Sequence, residues 1–401
     1  MSNKDLAKGI HWVGAVDWDV RDFHGYSTLA GTTYNAFLII DEKITLLDTV
    51  KRSHYQDMMH HIREIIDPAK IDYLVVNHVE LDHAGSLAEV MDVVQPEKLI
   101  CSPMGKNAII SHFHREDWPF EVVKSGDEIS LGKRTLHFLE TRMLHWPDSM
   151  FTYVKEDGIL FSSDAFGQHL ATSERFDDEV SLAQALDQAA KYYANILYLY
   201  NPLIRKLLAK VQEMNLDIKM IATDHGVIWR SHIDKILQAY DEWSRNKAEN
   251  KALVIYDSMW HSTEKMAKAI ASGIEKEGVY AELINLKVNH RSDIMTKVLT
   301  AKALVLGSPT LNNGLLPRMA GFLMYMRGLK PQNKIAAAFG SYGWSGECVK
   351  LLNEALTDMR LDVIEEGLRI KYVPTHEDLG ACVAMGRRIG RAVLERNKTE
   401  N

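Results

Sequence analysis

The stretch that decides the fold of the first part of the chain is Asn77-His78-Val79-Glu80-Leu81-Asp82-His83-Ala84-Gly85-Ser86. It follows residues 73–77, a short apolar run that is typical of a buried strand. His78 and Glu80 can converge on one point beyond this strand, while Asp82 and His83 face a second point. Without a cation, these side chains would repel one another or lose their solvation. The stretch therefore predicts a metal site.

Three further candidate ligands follow predicted strands in the first part of the chain: His145, Asp164 and His225. Taken alone, each of them is more simply explained as a capping or core residue. Their position at strand ends makes them candidates to complete the site around His78.

The secondary-structure pattern predicts a different α/β arrangement for each part. In the first part, strands are expected at residues 35–40, 44–50, 73–77, 135–140, 151–154, 159–161 and 218–222, with a long helical region at 182–214. In the second part, strands are expected at 252–256, 280–285, 303–307, 334–339 and 363–370, and helices at 263–277, 291–299, 318–328, 345–359 and 379–396. The first pattern suggests an α/β sandwich. The second predicts a doubly wound parallel sheet, which binds ligands beyond the carboxyl ends of its strands.

Composition sets limits on the class of protein. The 401 residues carry 47 Lys+Arg, 54 Asp+Glu and a net charge of −7, and this mild acidity argues against nucleic acid as the main partner. The three cysteines, Cys101, Cys348 and Cys382, form no C-x-x-C pair, which excludes a zinc ribbon, a four-cysteine iron site and a disulfide scaffold. Without a signal peptide or a membrane span, we expect a cytoplasmic protein.

Histidines and charges divide the chain in two. Of 17 histidines, 14 precede Ala248. Residues 249–401 hold 21 Lys+Arg against 17 Asp+Glu, and the rest holds 26 against 37. We therefore predict two domains, 1–248 and 249–401, joined near the polar stretch at residues 244–251.

Three loops of the second part can meet at one edge of its sheet. They are Tyr256-Asp257-Ser258-Met259-Trp260-His261-Ser262-Thr263, Gly307-Ser308-Pro309-Thr310-Leu311-Asn312-Asn313-Gly314 and Gly340-Ser341-Tyr342-Gly343-Trp344-Ser345-Gly346. The first loop alone is explained equally well as a phosphate site or as an ordinary helix N-cap. Loops after strands one, three and four converge in a 2-1-3-4-5 sheet, which favours a ligand, with aromatic side chains to flank a flat ring.

The first part resembles the metallo-β-lactamase fold, an αββα sandwich whose hallmark is H-x-H-x-D-H with downstream His, Asp and His. Here Glu80 replaces the second histidine, and the added carboxylate favours iron or manganese over zinc. The resemblance implies two metals: one bound by His78, Glu80 and His145, the other by Asp82, His83 and His225, with Asp164 as the bridge.

The second part resembles flavodoxin, and the resemblance implies bound FMN. The phosphate loop departs from the usual pattern, because His261 stands where a glycine is common. The implied FMN contacts are Ser258, Met259, Trp260, His261, Ser262, Thr263, Ser308, Pro309, Thr310, Asn312, Asn313, Gly314, Ser341, Tyr342, Gly343, Trp344 and Gly346.

The two parts together resemble the flavodiiron proteins, the family of rubredoxin:oxygen oxidoreductases or A-type flavoproteins. Residues 31–36, 144–150 and 192–195 add to this resemblance. It implies that FMN feeds a di-iron site that reduces O2 to water, NO to N2O, or both, in a head-to-tail homodimer or a dimer of dimers. His169 and Tyr193 are candidate hydrogen-bond or proton donors beside the metals, and plain packing explains them about equally well.

The electron source is expected to be a separate protein, because the chain has no cysteine pair for a rubredoxin of its own. A small acidic rubredoxin steered to the basic flavin domain is one hypothesis. The other is that this charge complements the acidic metal domain of a partner subunit. The alternative functions are a dizinc hydrolase carrying a flavin module and an electron-transfer flavoprotein with a vestigial metal domain. Glu80 argues against the hydrolase.

Overall fold

The computed structural model describes residues 5–400, so the outermost ends of the two predicted domains lie outside the described residues. The chain packs into two compact units: Met1–Tyr192 with Tyr200–Asp241, and Tyr193–Leu199 with Glu242–Asn401. The expected domain boundary between Ala248 and Glu249 stays a prediction.

The first unit is built on two sheets. Its strands are β1 (Asp5–Ala7), β2 (Ile10–Trp12), β3 (Ala15–Asp17), β4 (Asp22–Phe23), β5 (Tyr26–Ser27), β6 (Thr32–Tyr34), β7 (Phe37–Ile39), β8 (Thr45–Leu47), β9 (Tyr73–Val76), β10 (Lys98–Cys101), β11 (Phe120–Val122), β12 (Glu128–Ser130), β13 (Thr135–Glu140), β14 (Met150–Val154), β15 (Ile159–Phe161) and β16 (Met220–Ala222). The larger sheet has the order β1-β2-β7-β8-β9-β10-β11, and the second has the order β12-β13-β14-β15-β16. Two short ribbons, β3-β6 and β4-β5, accompany them.

Helices alternate with the strands of the two sheets. They are α1 (Tyr55–Ile65), α2 (Leu81–Ala84), α3 (Leu87–Val94), α4 (Pro103–Phe113), α5 (Leu182–Tyr192), α6 (Asn201–Glu213) and α7 (Ile233–Ser244). Met58 and Met59 of α1 pack in the core outside the larger sheet, whereas Phe37 and Phe161 lie in the core between the two sheets. On the far side, Val211 of α6 lines a cavity with residues of β13 and β14. The layers are those of the predicted αββα sandwich.

Strand β9 explains why the metal-site stretch begins where it does. It runs parallel to β8 on one side and β10 on the other, and all four of its residues are buried. A strand covered on both faces has a continuous apolar run rather than an alternating one. The polar run from Asn77 onward therefore starts at the carboxyl edge of the sheet.

The long helical region expected at residues 182–214 is helical, but it is not one continuous α-helix. Helix α5 ends at Tyr192, a π-helical turn spans Tyr193–Leu197, and α6 begins at Asn201. Pro202 lies in the first turn of α6, where its missing N–H costs nothing, whereas inside a continuous helix it would remove a hydrogen bond and clash with the preceding turn.

The second unit has the predicted doubly wound topology. Its strands are β17 (Glu249–Tyr256), β18 (Tyr280–Asn285), β19 (Ala301–Gly307), β20 (Ile335–Tyr342), β21 (Asp362–Val363) and β22 (Leu368–Lys371), and its further helices are α8 (Ser262–Glu275), α9 (Arg291–Thr300), α10 (Pro317–Leu329), α11 (Cys348–Asp358) and α12 (His376–Glu400). The order β18-β17-β19-β20-β21 is parallel throughout. This is the expected 2-1-3-4-5 arrangement.

The fifth strand, for which the sequence predicts one continuous run over residues 363–370, is split in two. Its halves are β21 and β22, and both pair with β20. Gly367 lies between them with φ +96°, and a Cβ there would come 2.8 Å from the Ala338 carbonyl oxygen. The chain therefore leaves and rejoins the sheet at a point that only glycine fits.

No helix among the described residues is both long and apolar enough to cross a membrane. The expected cytoplasmic location stays a prediction.

Candidate metal centre and flavin site

The first half-site consists of His78, Glu80 and His145. Glu80 Oε2 lies 3.3 Å from His78 Nε2 and 3.1 Å from His145 Nε2. Asp164 Oδ2 lies 3.2 Å and 3.0 Å from the same two nitrogens. Two imidazoles and two carboxylates therefore point their ligand atoms at one buried position, as three separate loops meet there.

The second half-site consists of Asp82, His83 and His225. Asp82 Oδ1 lies 3.4 Å from His83 Nε2, and its Oδ2 lies 3.1 Å from His225 Nε2. Asp164 Oδ1 lies 3.3 Å from His83 Nε2 and 3.5 Å from His225 Nε2. The seven residues that the sequence predicts as ligands thus lie in one cluster.

Asp164 faces both half-sites, with Oδ2 toward the first and Oδ1 toward the second. It follows β15, which runs parallel to β16 with Phe161 opposite Ala222. Because parallel strands end at the same edge, the loops that carry Asp164 and His225 emerge side by side. This placement suits a carboxylate that bridges two cations.

Buried polar atoms of the cluster that have no hydrogen-bond partner also indicate a metal site. Both carboxylate oxygens of Asp82 and both ring nitrogens of His83 are buried without a hydrogen-bond partner among the described residues. Buried polar atoms are costly unless something satisfies them. A cation in each half-site would do so, and four imidazoles with three carboxylates form a donor set that suits redox-active iron.

The pKa values of the cluster are shifted because its charged groups are buried close together. Burial lowers the pKa of His78, but hydrogen bonds to Asp148 and Glu80 outweigh burial and raise that pKa well above its usual value. Burial likewise opposes the rise in the pKa of His83, which the charges of Asp82 and Asp164 cause. Burial raises the pKa of Asp164, yet His83 and His145 bring it well below the ordinary range. The carboxylates thus create a negative field that binds either protons or cations.

Each half-site has a hydrogen-bonded support for one of its histidines. In the first, His78 Nδ1 lies 2.9 Å from Asp148 Oδ2, which also accepts from the Val79 N–H at 2.7 Å. In the second, His225 Nδ1 donates to the Thr33 carbonyl at 2.7 Å. Since Nδ1 is engaged in both rings, Nε2 is left to face the cluster.

The two candidate donors, His169 and Tyr193, have different surroundings. His169 is buried, its ring centroid is 4.7 Å from that of His225, and its Nδ1 is 2.8 Å from Thr32 Oγ1. Tyr193 packs its ring 5.1 Å from that of Trp243. It is the preceding residue, Tyr192, whose hydroxyl donates to Asp164 Oδ1 at 2.8 Å.

Sequence reasoning missed Tyr192, Asp148 and His24. Tyr192 has a readable signal, because the buried positions of α5, including Ala185, Ala189 and Tyr192, recur at helical spacing. Asp148 has a weaker one, its place three residues after the candidate ligand His145. His24 Nε2 reaches Glu80 Oε1 at 3.1 Å from a separate hairpin, and nothing in the sequence indicates that contact.

The candidate flavin site is a cavity of about 690 Å³ in the second unit. Its lining comes from the loops after β17, β19, β20 and β22. The predicted contacts that line it are Met259, Trp260, Ser262, Pro309, Thr310, Asn312, Asn313, Ser341, Tyr342, Gly343 and Trp344. Ser258, His261, Thr263, Ser308, Gly314 and Gly346 are not among its lining residues.

Four lining residues were not predicted: Leu311, Ser345, Tyr372 and Val373. Tyr372 and Val373 follow β22, and their signal is the position of an aromatic residue just beyond the carboxyl end of the fifth strand. The cavity is strongly aromatic at its mouth, where the residues Trp260 and Trp344 are each 87% exposed. Flat apolar surfaces of this kind suit an isoalloxazine ring.

The start of α8 offers a place for a phosphate group. His261 stands at the N-cap with φ +66° and makes no side-chain capping bond within the described part of the chain. Ser258 Oγ is buried in the same loop, and no residue from 5 to 400 gives it a hydrogen-bond partner. Free backbone N–H groups, the helix dipole and an unpaired hydroxyl together form a suitable anion site. Thr263 Oγ1, 2.9 Å from Ser341 Oγ, ties this loop to the loop after β20.

A lactamase-like unit with a two-centre His and carboxylate cluster, followed by a flavodoxin-like unit, defines a flavodiiron protein. Residues 32–226 match the ODP family beta lactamase, and residues 254–386 match flavodoxin. The chain belongs to the flavodiiron protein family, so the predicted family and fold class are confirmed.

Three relatives illustrate this membership. The chain is 47% identical to a rubredoxin-oxygen oxidoreductase of Megalodesulfovibrio gigas, over 98% of each chain. It is 45% identical to a nitric oxide reductase of Moorella thermoacetica, over 97% of this chain and 98% of that one. The crystal structure of the flavodiiron protein from Giardia intestinalis superimposes with a TM-score of 0.96 at 34% identity, over 100% of this chain and 98% of that one.

Proposed function

We propose that this chain is an oxidoreductase that reduces O2 to water, NO to N2O, or both, with two iron ions in the first unit and FMN in the second. The observation that carries the proposal is Asp164, whose two oxygens face two half-sites of His and carboxylate ligands. The names of the M. gigas and M. thermoacetica relatives supply the two substrates.

Iron and FMN, when bound, would supply the redox chemistry, and the residues around them would hold and orient them. Iron supplies open coordination positions for a diatomic gas, and FMN supplies electrons one at a time. His78, Glu80 and His145 would hold one iron, Asp82, His83 and His225 the other, and Asp164 would bridge them. Tyr192 orients Asp164 through its hydroxyl. Reduction of O2 to two waters takes four electrons and four protons, and coupling of two NO to N2O and water takes two of each.

The buried histidine His169 is the proposed hydrogen-bonding group beside the second half-site. Its Nδ1 is directed to Thr32 Oγ1, and that hydroxyl in turn lies 3.2 Å from the Thr33 carbonyl, to which it donates. When the Thr32 hydroxyl donates to that carbonyl, Thr32 Oγ1 can accept from His169 Nδ1–H, and Nε2 is then an acceptor. In this tautomer His169 can receive a proton or a hydrogen bond at Nε2 but not donate one from it.

The electron donor proposed here is a separate rubredoxin, in keeping with the name of the M. gigas relative. The excess of basic over acidic residues in 249–401, 21 against 17, favours an acidic carrier at the flavin unit. Turnover with rubredoxin should then fall as ionic strength rises. If turnover does not depend on ionic strength, the other explanation is favoured, in which the basic excess of residues 249–401 complements the acidic part of a second copy.

We also propose a head-to-tail homodimer in which the flavin of one copy faces the metal centre of the other. Large apolar side chains are exposed at both places: Trp260 and Trp344 at the flavin cavity, and Leu81 (51% exposed) between two of the proposed ligands. Light scattering during size-exclusion chromatography separates a dimer from a dimer of dimers. A monomer with full turnover would contradict the arrangement.

The decisive experiment combines metal analysis, flavin analysis and gas consumption on the same preparation. We expect about two irons and one FMN per chain, and consumption of O2, NO or both when a reductant is supplied. Zinc in place of iron, with ester or phosphodiester hydrolysis, would instead support the dizinc hydrolase. Iron-loaded, reduced protein that consumes neither gas would overturn the proposal.

A further inference from the structure

Asn35 holds the turn that carries His225 through its backbone N–H and its side-chain amide. The backbone N–H donates to the Asp224 carbonyl at 2.8 Å. The side-chain Nδ2 donates to the carbonyls of Thr223 at 2.7 Å and Gly226 at 3.0 Å. The side-chain Oδ1 accepts from Trp12 Nε1 at 2.7 Å. A side chain that is fully buried and hydrogen-bonded at both ends of its amide fixes its partners closely.

Thr33 holds the same turn from two residues earlier, on the same face of an extended segment. Its Oγ1 accepts from the Gly226 N–H at 2.6 Å, and its carbonyl accepts from His225 Nδ1 at 2.7 Å. Thr33 and Asn35 together contact the four residues Thr223–Gly226, which we call the His225 turn. This turn brings two groups to the second half-site: the ligand His225, and Asp224, whose Oδ2 lies 3.8 Å from His83 Nδ1.

The first half-site is held by other residues. Asp148 Oδ2 accepts from His78 Nδ1 and from the Val79 N–H. Asp148 is itself held through its carbonyl, which accepts from Ser102 Oγ at 2.7 Å. The supports of the two half-sites thus come from different segments, although Asp164 connects the half-sites at their centre.

We propose that Thr33 and Asn35 are positioning residues for the second metal ion, and that they act on its half-site while the first half-site keeps its own metal. The proposal rests on the di-iron function proposed above. It assigns a role to residues 31–36, a motif that contains no ligand. Outer partners of ligating histidines typically change metal affinity by about 10- to 100-fold, so a loosened His225 turn should weaken the second iron by that factor.

The main variant is Asn35→Asp, which keeps the size of the side chain. It turns the donor Nδ2 into an acceptor that opposes the carbonyls of Thr223 and Gly226. Asn107→Asp, an exposed position on α4, is the matched control for the same chemical change. Thr33→Val removes only the hydroxyl, Thr33→Ser restores it, and Asp148→Ala is the reciprocal variant for the first half-site.

Each holoprotein is analysed for iron and FMN per chain, for iron loss during titration with a chelator, and for its electron paramagnetic resonance spectrum after partial reduction. In Asn35→Asp and Thr33→Val we expect one iron to leave at roughly 10- to 100-fold lower chelator concentration. The signal of the spin-coupled pair should be lost with it, while FMN content and the circular dichroism spectrum stay unchanged. Thr33→Ser and Asn107→Asp should behave as wild type.

The outcomes separate the two proposals. Wild-type protein without an iron pair would contradict the di-iron function itself. Suppose that the wild-type protein has an iron pair and that the Thr33 and Asn35 variants fold. If these variants then lose both irons at once, or lose neither, the positioning role is overturned. If Asn35→Asp does not fold, Thr33→Val alone decides. Asp148→Ala should retain the iron of the second half-site. If that iron is lost first, the two half-sites are not supported independently of each other.

Discussion

The Tyr192 hydroxyl donates a hydrogen bond of 2.8 Å to Asp164 Oδ1, on the carboxylate that faces both half-sites of the metal centre. Both residues are buried. Tyr192 stands at the last position of α5, so the helix end determines where this hydroxyl lies. The placement of Asp164 between the two half-sites is therefore set partly by a residue that is not among the proposed ligands.

Tyr192→Phe should lower turnover without emptying the centre. A buried hydrogen bond to a charged group is worth about 1.5–3 kcal/mol, and its loss leaves Asp164 free to rotate between the half-sites. We expect iron content near wild type, turnover reduced about 10-fold or more, and an altered resonance spectrum of the iron pair. Tyr193→Phe is the comparison, and a larger effect there than at Tyr192 would contradict this assignment.

Residues adjacent in sequence are the part of the candidate metal cluster whose proximity could be expected from the sequence alone. His78, Glu80, Asp82 and His83 follow one buried strand, so their clustering follows from strand geometry. His145, Asp164 and His225 needed family resemblance, because a lone residue at a strand end has no unique explanation. The structure brings Asp164 and His225 together because β15 and β16 are parallel and end at one edge. His145 joins them from the loop between β13 and β14.

The features that the sequence did not indicate share a physical cause, which is dependence on tertiary contacts. The choice between Tyr192 and Tyr193 depends on where α5 gives way to a π-helical turn. The split fifth strand depends on the tight approach of Gly367 to Ala338. Tyr372 reaches the flavin cavity only because β22 rejoins the sheet. Local sequence patterns carry little information on such contacts.

Glu80→His should change the metal preference of the first half-site. The substitution restores a third imidazole beside His78 and His145, and histidine-rich sites favour zinc over iron. We expect the zinc-to-iron ratio to rise by several-fold when the protein is produced with both metals supplied. Glu80→Gln controls for loss of charge and should lower metal content without favouring zinc. An unchanged ratio in Glu80→His would show that the carboxylate does not select the metal.

Removal of iron should make stability depend on pH in a defined direction. In the metal-free chain, the pKa of His78 and that of His83 are raised above the ordinary 6.5. Their contribution to the free energy of unfolding is fully present below pH 6.5 and is lost as pH rises through the raised pKa. The lowered pKa of Asp164 gives a contribution that is present above its ordinary 3.8 and is lost only on strong acidification.

The chelator-treated protein should therefore be less stable at about pH 8.5 than at about pH 6. Iron binds the deprotonated imidazoles, so the stabilisation that iron provides should grow over the same range. Urea unfolding of the iron-loaded and iron-free forms at both pH values measures the difference. A metal-free chain that gains stability between these pH values would contradict the protonated state of the cluster.

Ser258→Ala should weaken FMN binding about 10-fold, which corresponds to about 1.4 kcal/mol. The buried Ser258 Oγ has no hydrogen-bond partner among residues 5–400, and it lies in the loop that precedes α8, where a phosphate would meet free backbone N–H groups. Because the backbone and the helix dipole remain, binding should fall without being abolished.

Fluorescence titration of flavin-free protein with FMN and with riboflavin measures the effect. The loss should appear for FMN and not for riboflavin, since riboflavin has no phosphate. Ser272→Ala, within α8 and away from the loop, controls for a change of serine in the same unit. Equal weakening of both flavins would place Ser258 against the ring rather than the phosphate.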